Sequence, residues 1–101
     1  MNNMVTKEDI LKALKQIVDP EVGINIVDMG FIYDIIIKDK VITVKMTLTT
    51  PGCPMHAMFT QEVESILKDK FGKNVIVELV FDPPWSPDKM SPEARKKLGF
   101  E

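Results

Sequence analysis

The sequence predicts a two-layer α/β fold of the α+β kind, with a three-stranded mixed sheet and helices on one face. Three observations predict it. Residues 41–49 alternate, with Ile42, Val44, Met46 and Leu48 on one side and Thr43, Lys45, Thr47 and Thr49 on the other, the pattern of a strand buried on one face only. Two stretches, about 7–18 and 55–71, instead carry apolar residues at helical spacing. The order is helix, strand, strand, helix, strand, short helix, so the second strand reaches the third through a helix. Such a connection favours a right-handed parallel crossover.

Each element has a local reason. Thr6 followed by Asp9 reads as a capping box, with Asp in place of Glu. Ile10, Leu11, Leu14, Ile17 and Val18 then form one apolar face. Pro20 disfavours helical geometry at Asp19 and should end this helix near Val18. Residues 19–23 form a loop with two carboxylates, Asp19 and Glu21. Residues 24–30 predict a turn or a single helical turn, with Ile26, Val27 and Met29 partly buried. Residues 31–38 are rich in aromatic and β-branched side chains and predict a strand. Asp39-Lys40 then serves as a tight turn without the favoured glycine.

The second helix carries Met55, Phe59, Val63, Ile66 and Leu67 as its stripe. Lys68 and Lys70 in its last turn complement the helix dipole, and Gly72 is placed for a left-handed cap. Val75, Val77, Leu79 and Phe81 alternate with Ile76, Glu78 and Val80 in a third strand. The prolines of Asp82-Pro83-Pro84-Trp85-Ser86-Pro87 lack donors and cannot extend the sheet. Ser91 and Pro92 open a short helix over 93–98 that ends at Gly99. A helix this short does not stand alone, so it must dock.

The totals bound the function. A chain of 101 residues suits one domain, 1–101. A net charge of −2 with interspersed signs lacks the basic face that nucleic-acid binding needs. No apolar run approaches a membrane span, and residues 1–8 lack a signal-peptide core, so a cytoplasmic protein is expected. One cysteine excludes an internal disulfide and any metal site built from several thiolates of one chain.

The chemistry gathers in Thr49-Thr50-Pro51-Gly52-Cys53-Pro54-Met55-His56, which joins the alternating strand to the second helix and holds the only Cys and the only His. A thiol on a turn before a helix meets unpaired N–H groups that favour the thiolate. Pro54 fits the first helical position. The bland alternative is a buried, inert cysteine. His56 completes a C-x-x-H pair with Cys53, yet two ligands do not make a structural metal site, and the simpler reading of His56 is a polar residue of the first helical turn. Asp19 and Glu21 offer hard ligands or hydrogen bonds to the cysteine loop, or simply turn chemistry around a proline. Thr47, Thr49 and Thr50 offer hydroxyls to a sulfur, though threonine is also a good strand former. Trp85 between prolines reads as packing for the tail, with a partner anchor as the alternative. Arg95-Lys96-Lys97 reads as a solvated helix end.

Asp19-Pro20-Glu21, Ile26-Val27-Asp28-Met29-Gly30, Thr47-Leu48-Thr49-Thr50-Pro51-Gly52-Cys53-Pro54 and Asp82-Pro83-Pro84-Trp85-Ser86 together resemble one family. It is the SufT/PaaD-like (MIP-eighteen-like) family of iron–sulfur cluster assembly proteins. The closing residues 90–99 resemble that family's tail, and the likeness covers nearly the whole chain in order. It implies the iron–sulfur cluster assembly fold and a reactive thiol at Cys53, with Asp19 and Thr49 as its neighbours. It implies a maturation factor that assists cluster assembly or transfer to client apoproteins, alongside the iron–sulfur assembly machinery, rather than an enzyme with turnover. Some relatives carry a P-loop ATPase; no G-x-x-x-x-G-K-[ST] occurs here, so no nucleotide is expected. PaaD-like accessory subunits of oxygenase systems commonly add a cysteine-rich extension, and this chain has no cysteine after Cys53. A cysteine-dependent thiol enzyme is the other alternative, opposed by the lack of a resolving cysteine and by a histidine three residues away in the same turn. One thiolate per chain is too few for a [2Fe–2S] cluster, so a transiently held cluster is expected to bridge a homodimer through Cys53, with His56, Asp19 or a small external thiol as further ligands.

Overall fold

The computed structural model describes residues 5–48 and 56–99, with only the backbone of His56. Helix α1 spans Lys7–Leu14. Its capping box forms as expected: the Asp9 N–H donates to the Thr6 hydroxyl, and the Thr6 N–H donates to the Asp9 carboxylate, both at 3.1 Å. Ile10, Ala13 and Leu14 are buried. The helix ends at Leu14, four residues short of the expected Val18. Gln16 and Ile17 close tighter turns onto the carbonyls of Ala13 and Leu14, at 3.2 and 3.0 Å. Val18–Asp19 is then extended as β1 and pairs antiparallel with β2, Ile24–Asn25. The restriction that Pro20 places on Asp19 therefore reaches further back than one residue, because a paired strand needs Val18 extended too. Ile17 stays buried, whereas Val18 leaves the apolar face and is 47% exposed.

Residues 24–30 begin as a strand, not as a turn, and then turn. The turn is held by its own side chains: the Asp28 N–H donates to the Asn25 amide oxygen and the Asn25 amide donates to the Asp28 carboxylate, both at 2.9 Å. Ile26 and Met29 are buried beneath it.

The main sheet has the order β3-β4-β5. Strands β3 (Ile32–Ile37) and β4 (Val41–Met46) run antiparallel, and β5 (Asn74–Leu79) runs parallel to β4. Asp39-Lys40 turns the hairpin, with the Lys38 N–H on the Val41 carbonyl at 2.8 Å. Ile42, Val44, Met46 and Leu48 are buried as the alternation requires. Thr47 breaks it. Expected on the polar face, it is fully buried. The reason is that the ladder stops at Met46, and the Thr47 N–H donates instead to the Phe31 carbonyl at 2.7 Å, so the two-residue period no longer assigns its face.

Helix α2, His56–Phe71, covers the sheet beside α1 and buries Phe59, Val63 and Leu67. Gly72 ends it at φ +65, with its N–H on the Lys68 carbonyl at 2.9 Å. After β5, one 3-10 turn (Pro87–Lys89) leads into α3, Pro92–Lys97, capped by Ser91 and docked through buried Met90 and Ala94.

Candidate functional site

Register places the site. Met46 at the end of β4 lies opposite Ile32, which opens β3, and beside Leu79, which closes β5. The start of β3 and the ends of β4 and β5 therefore share one end of the sheet. From that end the chain runs through residues 49–55 into α2 at His56. Thr49, Thr50 and Cys53 lie outside the described residues, as does the side chain of His56. Asp19 and Glu21 are described, and their part is local: the Glu21 N–H donates to the Asp19 carboxylate at 2.9 Å. That is turn chemistry around Pro20. Among the described residues, no group of three or more His, Cys, Asp or Glu is arranged to hold a metal ion.

What surrounds this end of the sheet is a clamp formed by residues far apart in sequence. The Trp85 indole N–H donates to the Met29 carbonyl at 2.7 Å, and the ring meets Phe31 edge-on, with centroids 6.0 Å apart at 64°. Trp85 thus packs the tail, as its proline-flanked position predicts. The Tyr33 hydroxyl donates to the Pro83 carbonyl at 2.8 Å. The Lys89 ammonium lies 5.2 Å from the Tyr33 ring centroid. The Ser91 N–H donates to the Asp28 carbonyl at 2.8 Å. Burial pushes the Tyr33 phenol above its ordinary value, and a hydrogen bond with the Thr47 side chain opposes that rise.

Gly30 is where the clamp closes. Its φ is +81, and a Cβ placed there would run into the Lys89 carbonyl. Only glycine permits both the turn and this approach. Sequence reasoning named Trp85 and placed Gly30 in a turn, but missed Tyr33 and Lys89. Gly30 carried a signal, since it follows a self-closing Asn25–Asp28 turn; Tyr33 and Lys89 carried none.

Comparison with known proteins bears on what this end of the sheet does. The profile of a family described as "Iron-sulfur cluster assembly protein" matches residues 7–79. The chain belongs to that family. The matched span runs from α1 through β5, so it contains the whole sheet and the β4–α2 connection. The Bacillus subtilis relative named "Fe-S protein maturation auxiliary factor YitW" is 42% identical over 97 residues, covering 94% of this chain and 95% of its own. Among solved structures, a conserved hypothetical protein from Thermotoga maritima superposes with a TM-score of 0.81 at 48% identity, covering 98% and 99% of the two chains. A domain of unknown function from Bacillus anthracis gives 0.87 at 31% identity, over 94% and 92%. Both agreements extend past β5, so this family member shares the clamped tail's extent with its relatives as well as the sheet.

Proposed function

We propose that this protein is a maturation factor for iron–sulfur proteins. It works with the cluster assembly machinery and its client apoproteins, and Cys53 is the group that handles the cargo. The observation that carries the reading is the match over nearly the full length to a relative named as an Fe-S protein maturation auxiliary factor. The physics of the chain supports the choice of residue. Cys53 is the only thiol and stands three positions before His56, the first residue of α2, whose leading N–H groups favour a thiolate that comes near them. The buried anchor of Thr47 on Phe31 and the Trp85 clamp give that connection a rigid base at the sheet.

A cluster is cargo here, held and passed on. One thiolate per chain cannot supply the usual four ligands, so two copies meeting at Cys53 would share it, with His56 or Asp19 completing the set. Incomplete thiolate ligation makes such a site labile, which suits transfer. No step requires a nucleotide. Among the described residues no helix is long and apolar enough to cross a membrane.

The test is to replace the native protein with a Cys53→Ser variant in cells and measure the activity of a cluster-dependent client enzyme, with client protein levels held equal. Activity should fall toward that of cells lacking the protein. Activity equal to wild type would show that the thiol is dispensable and that the protein acts only as an adaptor between client and machinery.

A further inference from the structure

The two edges of the sheet are finished differently. At the β3 edge the register shifts between Ile32 and Asp34, a bulge. The Asp34 carboxylate then accepts the Ile35 N–H at 2.8 Å, and Lys7 stands 3.9 Å from the same carboxylate. A bulge, a side chain occupying a main-chain donor and a nearby charge are devices that block pairing. Among the described residues the β5 edge has no bulge and no side chain occupying a main-chain donor, and its one charge is Glu78. Asn74–Leu79 has an unbroken register with β4 and contains no proline.

The hydrogen bonds say which β5 groups face outward. The Asn74 N–H donates to the Lys40 carbonyl and the Val80 N–H to the Met46 carbonyl, at 3.0 and 2.9 Å. A parallel ladder uses alternate residues, so Asn74, Ile76, Glu78 and Val80 face β4. The main-chain groups of Val75, Val77 and Leu79 face the open edge.

We propose that this edge pairs with the same edge of a second copy, antiparallel about a twofold axis at Ile76, to make a continuous six-stranded sheet. The sequence of the strand is self-complementary in that register. Val75 and Val77 form the hydrogen-bonded pairs, which satisfies their outward N–H and C=O groups. Ile76, 51% exposed, then opposes its own copy in a non-hydrogen-bonded pair, where side chains approach most closely. Asn74 opposes Glu78 of the partner, a hydrogen-bonding match. The neighbouring strand agrees with it. Lys45 of β4 is in register with Glu78, so each Glu78 sits between its own Lys45 and the partner's Asn74. Ile36, Thr43 and Ile76 share one row of the outer face, and Ile36 is itself exposed. The twofold joins that row to its copy. Shifting the axis to Val77 would instead set Ile76 against Glu78, a mismatch. The pairing is independent of Cys53 and of any cluster.

Sedimentation velocity of the full chain over a range of concentrations, without iron and with the thiol reduced, tests this. The wild type should show a reversible monomer–dimer equilibrium. Ile76→Lys and Ile76→Glu should each weaken it by about tenfold or more, because like charges then stand directly opposite. Mixing those two variants should restore a dimer, since Lys then opposes Glu. Asn74→Lys should tighten the wild-type dimer several-fold through Glu78. Circular dichroism should show all variants folded, as Ile76 and Asn74 are exposed. A wild type that stays monomeric at every soluble concentration overturns the proposal. So does a dimer that Ile76→Lys leaves intact, or a Lys and Glu pair that fails to combine. Cys53→Ser should leave this dimer unchanged, which separates it from any cluster-bridged pair.

Discussion

The two ends of the sheet do different work. At one end, Asp39-Lys40 turns the hairpin and Gly72 closes α2, with Lys73 bonded to the Asp39 carbonyl. Its side-chain bond is between exposed groups and spans 34 positions of sequence. At the other end, Phe31 and Thr47 are buried, and Trp85 reaches the Met29 carbonyl across 56 positions of sequence. Tyr33 reaches Pro83 across 50. Closing such long loops costs chain entropy, which only burial and hydrogen bonding can offset. The chain makes that investment where β4 hands over to the Cys53 segment. The hairpin end needs only to turn, whereas the other end fastens the tail over the start of β3.

Breaking the clamp should have the largest effect. Gly30→Ala forces a Cβ against the Lys89 carbonyl at a φ that L-residues avoid. It should cost roughly 3–5 kcal/mol, read by urea unfolding followed through the fluorescence of Trp85, the only tryptophan. A loss under about 1 kcal/mol would mean the tail swings away freely. Trp85→Ala removes a half-buried ring and its hydrogen bond. It should cost about 2–3 kcal/mol by circular dichroism melts, with the hairpin end still protected from hydrogen exchange.

Thr47→Val should cost about 1 kcal/mol, because it removes a buried hydroxyl and leaves the Leu48 carbonyl without that donor while the shape is kept. It also sharpens the comparison through Tyr33, the only tyrosine. Ultraviolet titration of the wild type should give a midpoint above the ordinary value of about 10, and the variant should titrate higher still, since the Thr47 bond is what opposes the rise. Because the folded value is raised, the small stabilisation tied to it is present below about pH 10 and fades as pH climbs through the folded midpoint. A variant that titrates lower would contradict the assigned bond.

The smallest effect belongs to the simple end. Neither Asp39 nor Lys40 has a positive φ, so the turn is not of the primed kind. Asp39→Asn with Lys40→Gly should therefore change stability by no more than about 0.5–1 kcal/mol in the same urea titration, any loss coming from the freer unfolded chain. Marked destabilisation would show that this end holds structure beyond its turn.

Much of this architecture is legible in the sequence where contacts are local. The alternation of Ile42, Val44 and Met46, the stripe of Phe59, Val63 and Leu67, and the caps at Thr6, Gly72 and Ser91 all lie within a few residues of what they control. The misreadings fall where a distant partner decides. Val18 was drawn out of its helix by pairing with Asn25, and Thr47 was turned inward by Phe31. Gly30, Tyr33 and Lys89 belong together only because the tail folds back over the start of β3. No spacing rule connects positions that far apart. Cys53 could be singled out from its composition and frame alone: one thiol, between a glycine and a proline, ahead of a helix.

Native mass spectrometry after anaerobic reconstitution with iron and sulfide tests the role of Cys53 most directly. Wild-type protein should retain a cluster across two chains, and Cys53→Ser should retain none. The background should be Ile76→Lys, so that edge pairing does not supply the dimer. A cluster held stably by a monomer, or one kept in full by Cys53→Ser, would contradict the account.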